Sequence, residues 1–218
     1  MNKEKKSKNR KPNIIYLIIK RFFDIIVSII GIILIIPVYL IIKLCYIFTG
    51  DFSSILYYHN RIGKDGKEFR LYKFRSMVKD ADKKLEELLK NDKKLAKEWK
   101  ENHKLDNDPR ITGIGNIIRK LSLDEVPQFF NLLIGNMSLV GPRPLVKGEL
   151  DGHNGDHEIY ESVKPGITGW WAANGRSCTS YEQRLELEYY YCKNCSLWLD
   201  IKCIFKTVGA VLGRKGAK

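Results

Sequence analysis

The stretch Ile25-Ile26-Val27-Ser28-Ile29-Ile30-Gly31-Ile32-Ile33-Leu34-Ile35-Ile36-Pro37-Val38-Tyr39-Leu40-Ile41-Ile42 carries no formal charge over eighteen residues, and its reading decides the rest. At about 1.5 Å per residue it reaches roughly 27 Å as a straight helix, a little short of the roughly 30 Å hydrocarbon thickness of a bilayer. Ile14 to Ile19 precede it and Leu44 to Phe48 follow it, so the whole region is membrane-grade. Pro37 stands inside. It has no N–H to donate, its ring clashes one turn back at Ile33, and it biases Ile36 away from helical geometry, so a bend or break is expected. Residues 1–13 hold six basic residues and one acid, and Lys20, Arg21, Lys43, Arg61 and Lys64 keep both flanks basic. A true span is expected to be asymmetric in Lys and Arg. Basic flanks on both sides favour a re-entrant hairpin over residues 14–49, broken at Pro37, with both ends on the cytoplasmic face. The alternatives are a kinked transmembrane helix and a secretory signal peptide. The apolar stretch is long for a signal peptide, and no small-x-small cleavage site follows it.

Composition describes what surrounds this block. The chain has 218 residues, with 38 Lys plus Arg against 25 Asp plus Glu for a net charge of +13, of which +5 lies in a basic tail at residues 1–13. A hydrophobic share of 44% with 11% aromatics excludes a natively disordered chain, and the length is enough to bury a core without disulfides or metals. The mean hydropathy of −0.27 averages an apolar anchor with a charged domain. Five scattered cysteines read as reduced thiols rather than a disulfide framework.

Outward from the anchor, residues 50–218 read as one helix-rich mixed α/β catalytic domain. Asp51 to Arg75 alternates short apolar runs around Lys64-Asp65-Gly66, as a strand, a turn and a second strand would. Lys79 to Lys104 places Leu85, Leu88, Leu89, Leu95 and Trp99 at helical spacing among charges, so one or two surface helices are predicted. Asn107-Asp108-Pro109-Arg110 breaks that pattern, and Gly113 and Gly115 predict a loop after it. Leu121 to Leu133 reads as a helix start, Gly141-Pro142-Arg143-Pro144 as a rigid extended arm, and Tyr189 to Phe205 as one closing amphipathic helix suited to a membrane interface or to the core.

The adjacent acids Asp124 and Glu125 are the first candidates for chemistry. Ser122 with Glu125 also fits a capping box, and acids in a first helical turn complement the helix dipole. Arg110, Arg119 and Arg143 lie in loops or at element ends, and Lys73 and Arg75 close the hairpin. Guanidinium groups on short rigid arms suit bidentate phosphate binding, and a cationic pocket is expected to keep Asp124 ionised. The combination suggests phosphate chemistry beside a membrane. A scatter of surface arginines kept for solubility has the same look.

Tyr72-Lys73-Phe74-Arg75-Ser76-Met77, Asn107-Asp108-Pro109-Arg110-Ile111-Thr112, Leu121 to Asn131, Met137-Ser138-Leu139-Val140-Gly141-Pro142-Arg143-Pro144 and Lys164-Pro165-Gly166-Ile167-Thr168-Gly169 occur in order. Together they resemble the bacterial sugar transferase family, the monotopic polyprenyl-phosphate phosphoglycosyl transferases, from about Ile14 to Gly213. The resemblance is to the short form, without the extra transmembrane helices and domain of longer members. It implies a UDP-sugar donor, undecaprenyl phosphate as acceptor, Mg²⁺ as cofactor, release of UMP, and a place on the cytoplasmic face of the bacterial inner membrane. By the same resemblance Asp124 is the nucleophile and the Mg²⁺ contact, Glu125 the acid/base, and Arg119 and Arg143 phosphate ligands; Arg110, Lys73 and Arg75 are added as phosphate candidates. Gly169-Trp170-Trp171-Ala172-Ala173-Asn174-Gly175-Arg176 resembles the family's nucleotide motif, which makes Asn174 and Arg176 nucleotide candidates and leaves Trp170 and Trp171 as either site or core aromatics.

Two departures stand out: Ala172 replaces the usual glutamine, and Ile36 replaces the usual serine before the breaking proline. An unsatisfied carbonyl in hydrocarbon costs several kcal/mol, so Ser28 or a residue of the catalytic domain is expected to help. Cys192-x-x-Cys195 with His153-x-x-x-His157 has zinc-like spacing within each pair, but the order of the pairs is unusual and incidental thiols are the better reading. Gly148 to Tyr160, rich in Asp, His and Gly, is a candidate specificity loop. The expected product initiates a surface glycan such as capsule, exopolysaccharide or O-antigen. Expected partners are inner-membrane lipids, downstream glycosyltransferases and a second copy in a homodimer, with no nucleic acid. The competing class is a non-catalytic basic membrane scaffold or a nucleic-acid binder using the cationic tail.

Overall fold

A computed structural model describes residues 12–102, 105, 107–175 and 179–212. The elements run α1 (Ile14–Phe48), β1 (Leu56–Ile62), β2 (Glu68–Phe74), α2 (Ala81–Asn91), α3 (Lys93–Asn102), α4 (Gly113–Lys120) and α5 (Gln128–Ile134). They continue with β3 (Ser138–Val140), α6 (His157–Tyr160), β4 (Gly166–Thr168), α7 (Trp170–Asn174), α8 (Tyr181–Asn194) and α9 (Leu197–Leu212). The fold is helix-rich with two small sheets, β1 paired with β2 and β3 parallel to β4. Contacts divide it into two compact units: residues up to 33 with 58–71 and 128 onward, and residues 34–57 with 72–127.

Helix α1 runs through Pro37, where the sequence predicts a bend or a break; helical geometry continues from Ile14 to Phe48, so the chain is not broken there. Its buried positions are Tyr16, Asp24, Ser28, Gly31, Ile35, Ile42 and Tyr46, a single stripe at helical spacing. Away from the stripe, Ile14, Ile18, Ile33, Leu34 and Ile41 are all at least 60% exposed. So large an exposed apolar surface on a helix of 35 residues suggests membrane association. The polar members of the stripe are satisfied by protein. Asp24 accepts from the Leu139 N–H at 2.8 Å and from Ser138 Oγ at 3.1 Å. Ser28 Oγ donates to the Ile25 carbonyl at 2.7 Å, so it does not serve the carbonyl at Ile33 as the sequence suggested.

In the second unit, Ile35, Ile42, Tyr46, Ile55, Phe74 and Ile118 form the core, with Ile114, Leu123 and Val126 packed on it. The hairpin strands sit where expected, and Asp65 and Gly66, which belong to the first unit, take the positive φ values, 56° and 70°, that a tight turn requires. The loop predicted over Gly113 and Gly115 is instead α4. Thr112 caps it by accepting from the Gly115 N–H at 2.8 Å, which outweighs the poor helix propensity of two glycines. Gly115 is there for contact: a Cβ on it would overlap the Ser76 carbonyl.

In the first unit, Val140, Tyr191, Leu199 and Cys203 form one cluster and Leu71, Leu132 and Met137 another. The parallel pairing of β3 with β4 sets Ser138 opposite Gly166 and Val140 opposite Thr168. Gly141 lies so close to the Lys164 carbonyl that no side chain fits, which holds the Pro142-Arg143-Pro144 arm onto that pairing. The single closing helix predicted over Tyr189 to Phe205 is two, α8 and α9. Ser196 starts the second by accepting from the Leu199 N–H at 3.3 Å. Helix α9 buries Leu199 and Cys203 and exposes Trp198, Phe205 and Val208. Cys45, Cys192, Cys195 and Cys203 are free thiols.

Candidate active site

The second unit builds a cation–carboxylate cluster from its core outward. Leu123 and Val126 pack on the apolar core at either end of a 3₁₀ turn, Leu123–Glu125, and leave Asp124 and Glu125 facing away from it. Ser122 takes φ 54° and makes no side-chain cap, so the capping-box reading of these acids does not hold. On β2, Phe74 is buried in the same core, and strand alternation turns Lys73 to the other face. There its Nζ lies 3.2 Å from Glu125 Oε1 and 3.6 Å from Asp124 Oδ2. The Asp124 side chain is 19% exposed and that of Glu125 53%. Burial pushes the Asp124 carboxyl above the ordinary range; Lys73 pulls it back most strongly, Glu125 adds to the rise and Arg119 opposes it. Burial thus outweighs the cationic surroundings in setting the direction of the shift.

Arg119 ends α4, and its Nε donates to Ser76 Oγ at 2.8 Å. Ser76 is a positioning residue that the sequence reading passed over, although it lies within the quoted Tyr72 to Met77 segment. The other two arginines of this unit are committed elsewhere. Arg75 Nη2 is 2.8 Å from Asp51 Oδ2, its Nε donates to the Ser54 carbonyl, and its guanidinium lies over the Tyr46 ring. The Ser53 hydroxyl and N–H, with Arg75 adding to them, hold the Asp51 carboxyl down at about 2. Arg110 grips Asp108 with both arms, Nε to Oδ1 at 2.8 Å and Nη2 to Oδ2 at 2.6 Å, and is buried. Both arginines hold loops in place, and neither presents its fork to the acidic turn.

Arg143 and Asn174 belong to the first unit. The Arg143 side chain is exposed while its main chain is clamped at both ends: Glu188 Oε1 accepts from its N–H at 3.1 Å, and Tyr160 OH donates to its carbonyl at 2.9 Å. Burial raises the Glu188 carboxyl to about 7, against the pull of the Arg143 N–H and of Arg184. Glu188 carried no motif that would have marked it in the sequence. Asn174 Nδ2 donates to the Trp170 carbonyl, and its Oδ1 accepts from Lys206 Nζ at 2.5 Å. Trp170 packs against Tyr190 with the rings tilted by 32°, and Trp171 Nε1 donates to Thr179 Oγ1 at 2.8 Å. Arg176, the other nucleotide candidate, lies outside the described residues. The Gly148 to Tyr160 segment lines a cavity of about 260 Å³ in which His157 bridges Asp151 and Glu161 at 2.8 and 2.6 Å, so this histidine is committed to carboxylates.

Among the described residues no three His, Cys, Asp or Glu side chains gather as a metal cage. Magnesium needs less: one or two protein carboxylates with phosphate oxygens and water completing the octahedron. Asp124 and Glu125, adjacent and partly exposed, fit that requirement.

The family profile described as bacterial sugar transferase matches residues 15–214. The chain is 50% identical over 199 residues, 91% of its length, to an undecaprenyl-phosphate galactose phosphotransferase of Salmonella typhimurium, and covers 41% of that protein. It is 47% identical, again over 91% of its length and 41% of the relative, to a UDP-galactose-lipid carrier transferase of Erwinia amylovora. It is 40% identical to the exopolysaccharide production protein ExoY of Sinorhizobium fredii, where the match covers 91% of this chain and 87% of the relative. The chain therefore spans about two fifths of the first two relatives and most of the third. On the profile match and these identities, the chain belongs to the bacterial sugar transferase family.

Proposed function

We propose that the chain is a polyprenyl-phosphate sugar phosphotransferase that moves a sugar 1-phosphate from a UDP-sugar to undecaprenyl phosphate. The observation that carries the proposal is the Lys73-bridged pair Asp124 and Glu125 in a member of this family. An Asp124 oxygen attacks the β-phosphorus of the donor. The bond from that phosphorus to the oxygen bridging the two phosphates breaks, and UMP leaves with the electron pair. The phosphosugar is then held on Asp124 as an acyl phosphate, which splits one difficult transfer into two. A phosphate oxygen of the acceptor next attacks the same phosphorus, and the acyl phosphate bond breaks to regenerate the carboxylate. Glu125, the more exposed acid, takes the proton of the acceptor phosphate.

A carboxylate approaching a diphosphate meets like charge. Lys73 and Arg119 reduce that repulsion from the protein side, and Arg143 is assigned to phosphate by family resemblance. Asp124 and Glu125 would hold Mg²⁺, which supplies further charge neutralisation at the phosphate oxygens when bound. The exposed apolar surface of α1 supports membrane association, and we assign the chemistry to the cytoplasmic side of that membrane. The names of two relatives support galactose 1-phosphate as the first sugar to test, and ExoY supports exopolysaccharide as a product class. Downstream glycosyltransferases would extend the lipid-linked sugar. The scaffold and nucleic-acid alternatives are not favoured by these relatives.

Solubilised protein supplied with UDP-galactose, Mg²⁺ and undecaprenyl phosphate is expected to release UMP, and Asp124→Ala to release none. Undiminished release by Asp124→Ala would remove the nucleophile assignment.

A further inference from the structure

The first unit contains a second cavity, of about 190 Å³, beside the first turns of α1. Lys20, Arg21, Lys64 and Lys164 line it, together with Asp24 and Tyr191. Half of its positive charge is uncompensated, four cations standing against Asp24 and Asp200. Lys20 is neutralised by Asp200, with Nζ 2.7 Å from Oδ2. Arg21 spends its fork on neutral acceptors, the Leu132 and Leu133 carbonyls at 2.6 and 2.7 Å, so its charge has no acidic partner there. Asp24, the lining carboxylate, is buried and already accepts from Ser138 and Leu139. Arg21, Lys64 and Lys164 thus face one carboxylate. Burial first, then the Arg21 charge, lowers the Lys164 ammonium from the ordinary range; Asp24 opposes this, and Lys64 and Lys20 add to it.

The same unit exposes apolar side chains on the helices that flank this cavity's chain segments. On α1, Ile14 is 72% exposed, Ile18 64% and Phe22 61%; on α9, Trp198 is 65% and Phe205 74%. These residues belong at a lipid boundary, where aromatic and basic side chains meet headgroups. A cationic cavity opening at that depth meets phosphate esters before any soluble anion, and each basic group near anionic lipid contributes roughly 1 kcal/mol.

We propose that this cavity binds the phosphate headgroup of an anionic bilayer lipid, distinct from the acidic turn that carries the transfer chemistry. The bound phosphate supplies the negative charge that Lys64, Lys164 and Arg21 lack and fixes the entry of α1 at the membrane surface. The inference rests on the cavity and on membrane association, not on the catalytic assignment of Asp124, so either can fail alone.

The test is native mass spectrometry of the full-length protein released from detergent in the presence of phosphatidylglycerol, phosphatidylcholine with the same acyl chains, undecaprenyl phosphate, or inorganic phosphate. The wild type is expected to retain one phosphatidylglycerol in preference to phosphatidylcholine. The Lys64→Gln/Lys164→Gln variant should lose that retention roughly tenfold or more, the charge-conserving Lys164→Arg should keep it, and the surface control Lys193→Gln should leave it unchanged. Lys64→Gln alone, in an exposed turn, should give an intermediate loss and guards against a folding defect at Lys164. Equal retention of phosphatidylcholine, unchanged retention in the double variant, or an equal loss in Lys193→Gln would overturn the proposal. Lysine-dependent binding of undecaprenyl phosphate or inorganic phosphate without phosphatidylglycerol would overturn the assignment to bilayer lipid.

Discussion

Lys73 reaches across from a β-strand to sit 3.6 Å from Asp124 Oδ2, and it is the strongest influence holding that half-shielded carboxyl down against burial. Removing it therefore has a defined sign. In Lys73→Gln the Asp124 carboxyl rises further, so the acidic limb of the kcat/KM profile for UMP release should move to higher pH, and turnover at neutral pH should fall by about tenfold or more. A variant with lower activity but an unmoved acidic limb would place Lys73 on the substrate rather than on Asp124.

Two glycines in one helix separate contact from conformation. A Cβ at Gly115 would overlap the Ser76 carbonyl, whereas one at Gly113 meets open space. Gly115→Ala should cost about 1–3 kcal/mol and loosen the Arg119–Ser76 contact. Gly113→Ala should be neutral or stabilising by up to about 1 kcal/mol. Thermal melts of both variants with a shared activity assay check this, and equal destabilisation by the two would refute the packing argument.

The acidic turn, the hairpin and the apolar anchor could be read in the chain because each rests on local pattern: a charge-free run, a Lys-Asp-Gly turn, and paired acids inside a recognisable motif. What could not be read depends on distant partners. Gly113 and Gly115 predict a loop until the Ser76 backbone is seen to require the second of them. Arg75 is held by Asp51, 24 residues away, a pairing that no local pattern in the sequence marks. Glu188 looked like one more helix acid, yet it grips the main chain of Arg143 from 45 residues away. Helical geometry through Pro37 went against a local rule, because packing of the buried stripe on both sides of it outweighs the lost hydrogen bond.

Glu188 also sets a pH dependence. With its carboxyl raised to about 7 in the folded state, the native protein binds more protons than the unfolded chain between the ordinary glutamate range and neutrality. Its contribution to stability is present at low pH and is lost as pH rises through about 7. Glu188→Gln, which keeps the oxygen that accepts from Arg143, should flatten the melting temperature over that window. Glu188→Ala leaves the N–H unpaired and should lose stability at every pH. A window that survives in Glu188→Gln would assign the titration to another group.

His157 acts in the same direction by a different cause. Glu161 first and then Asp151 raise its imidazole above 6.5, so the stabilisation from its protonated form is complete below that value and disappears as pH climbs through the raised one. His157→Gln should show no such decline in melting temperature on the alkaline side. An identical decline in the variant would contradict the bridge.

The central claim is the covalent phosphosugar on Asp124, and it is tested most directly by trapping. Solubilised protein is incubated with UDP-galactose labelled in the β-phosphate, with Mg²⁺ and without acceptor lipid, then quenched and digested. The account predicts label on the peptide containing Asp124, discharged when undecaprenyl phosphate is added before the quench and absent from Asp124→Asn. UMP release that depends fully on acceptor, with no label on the protein under any condition, would contradict it and point to direct transfer between donor and acceptor.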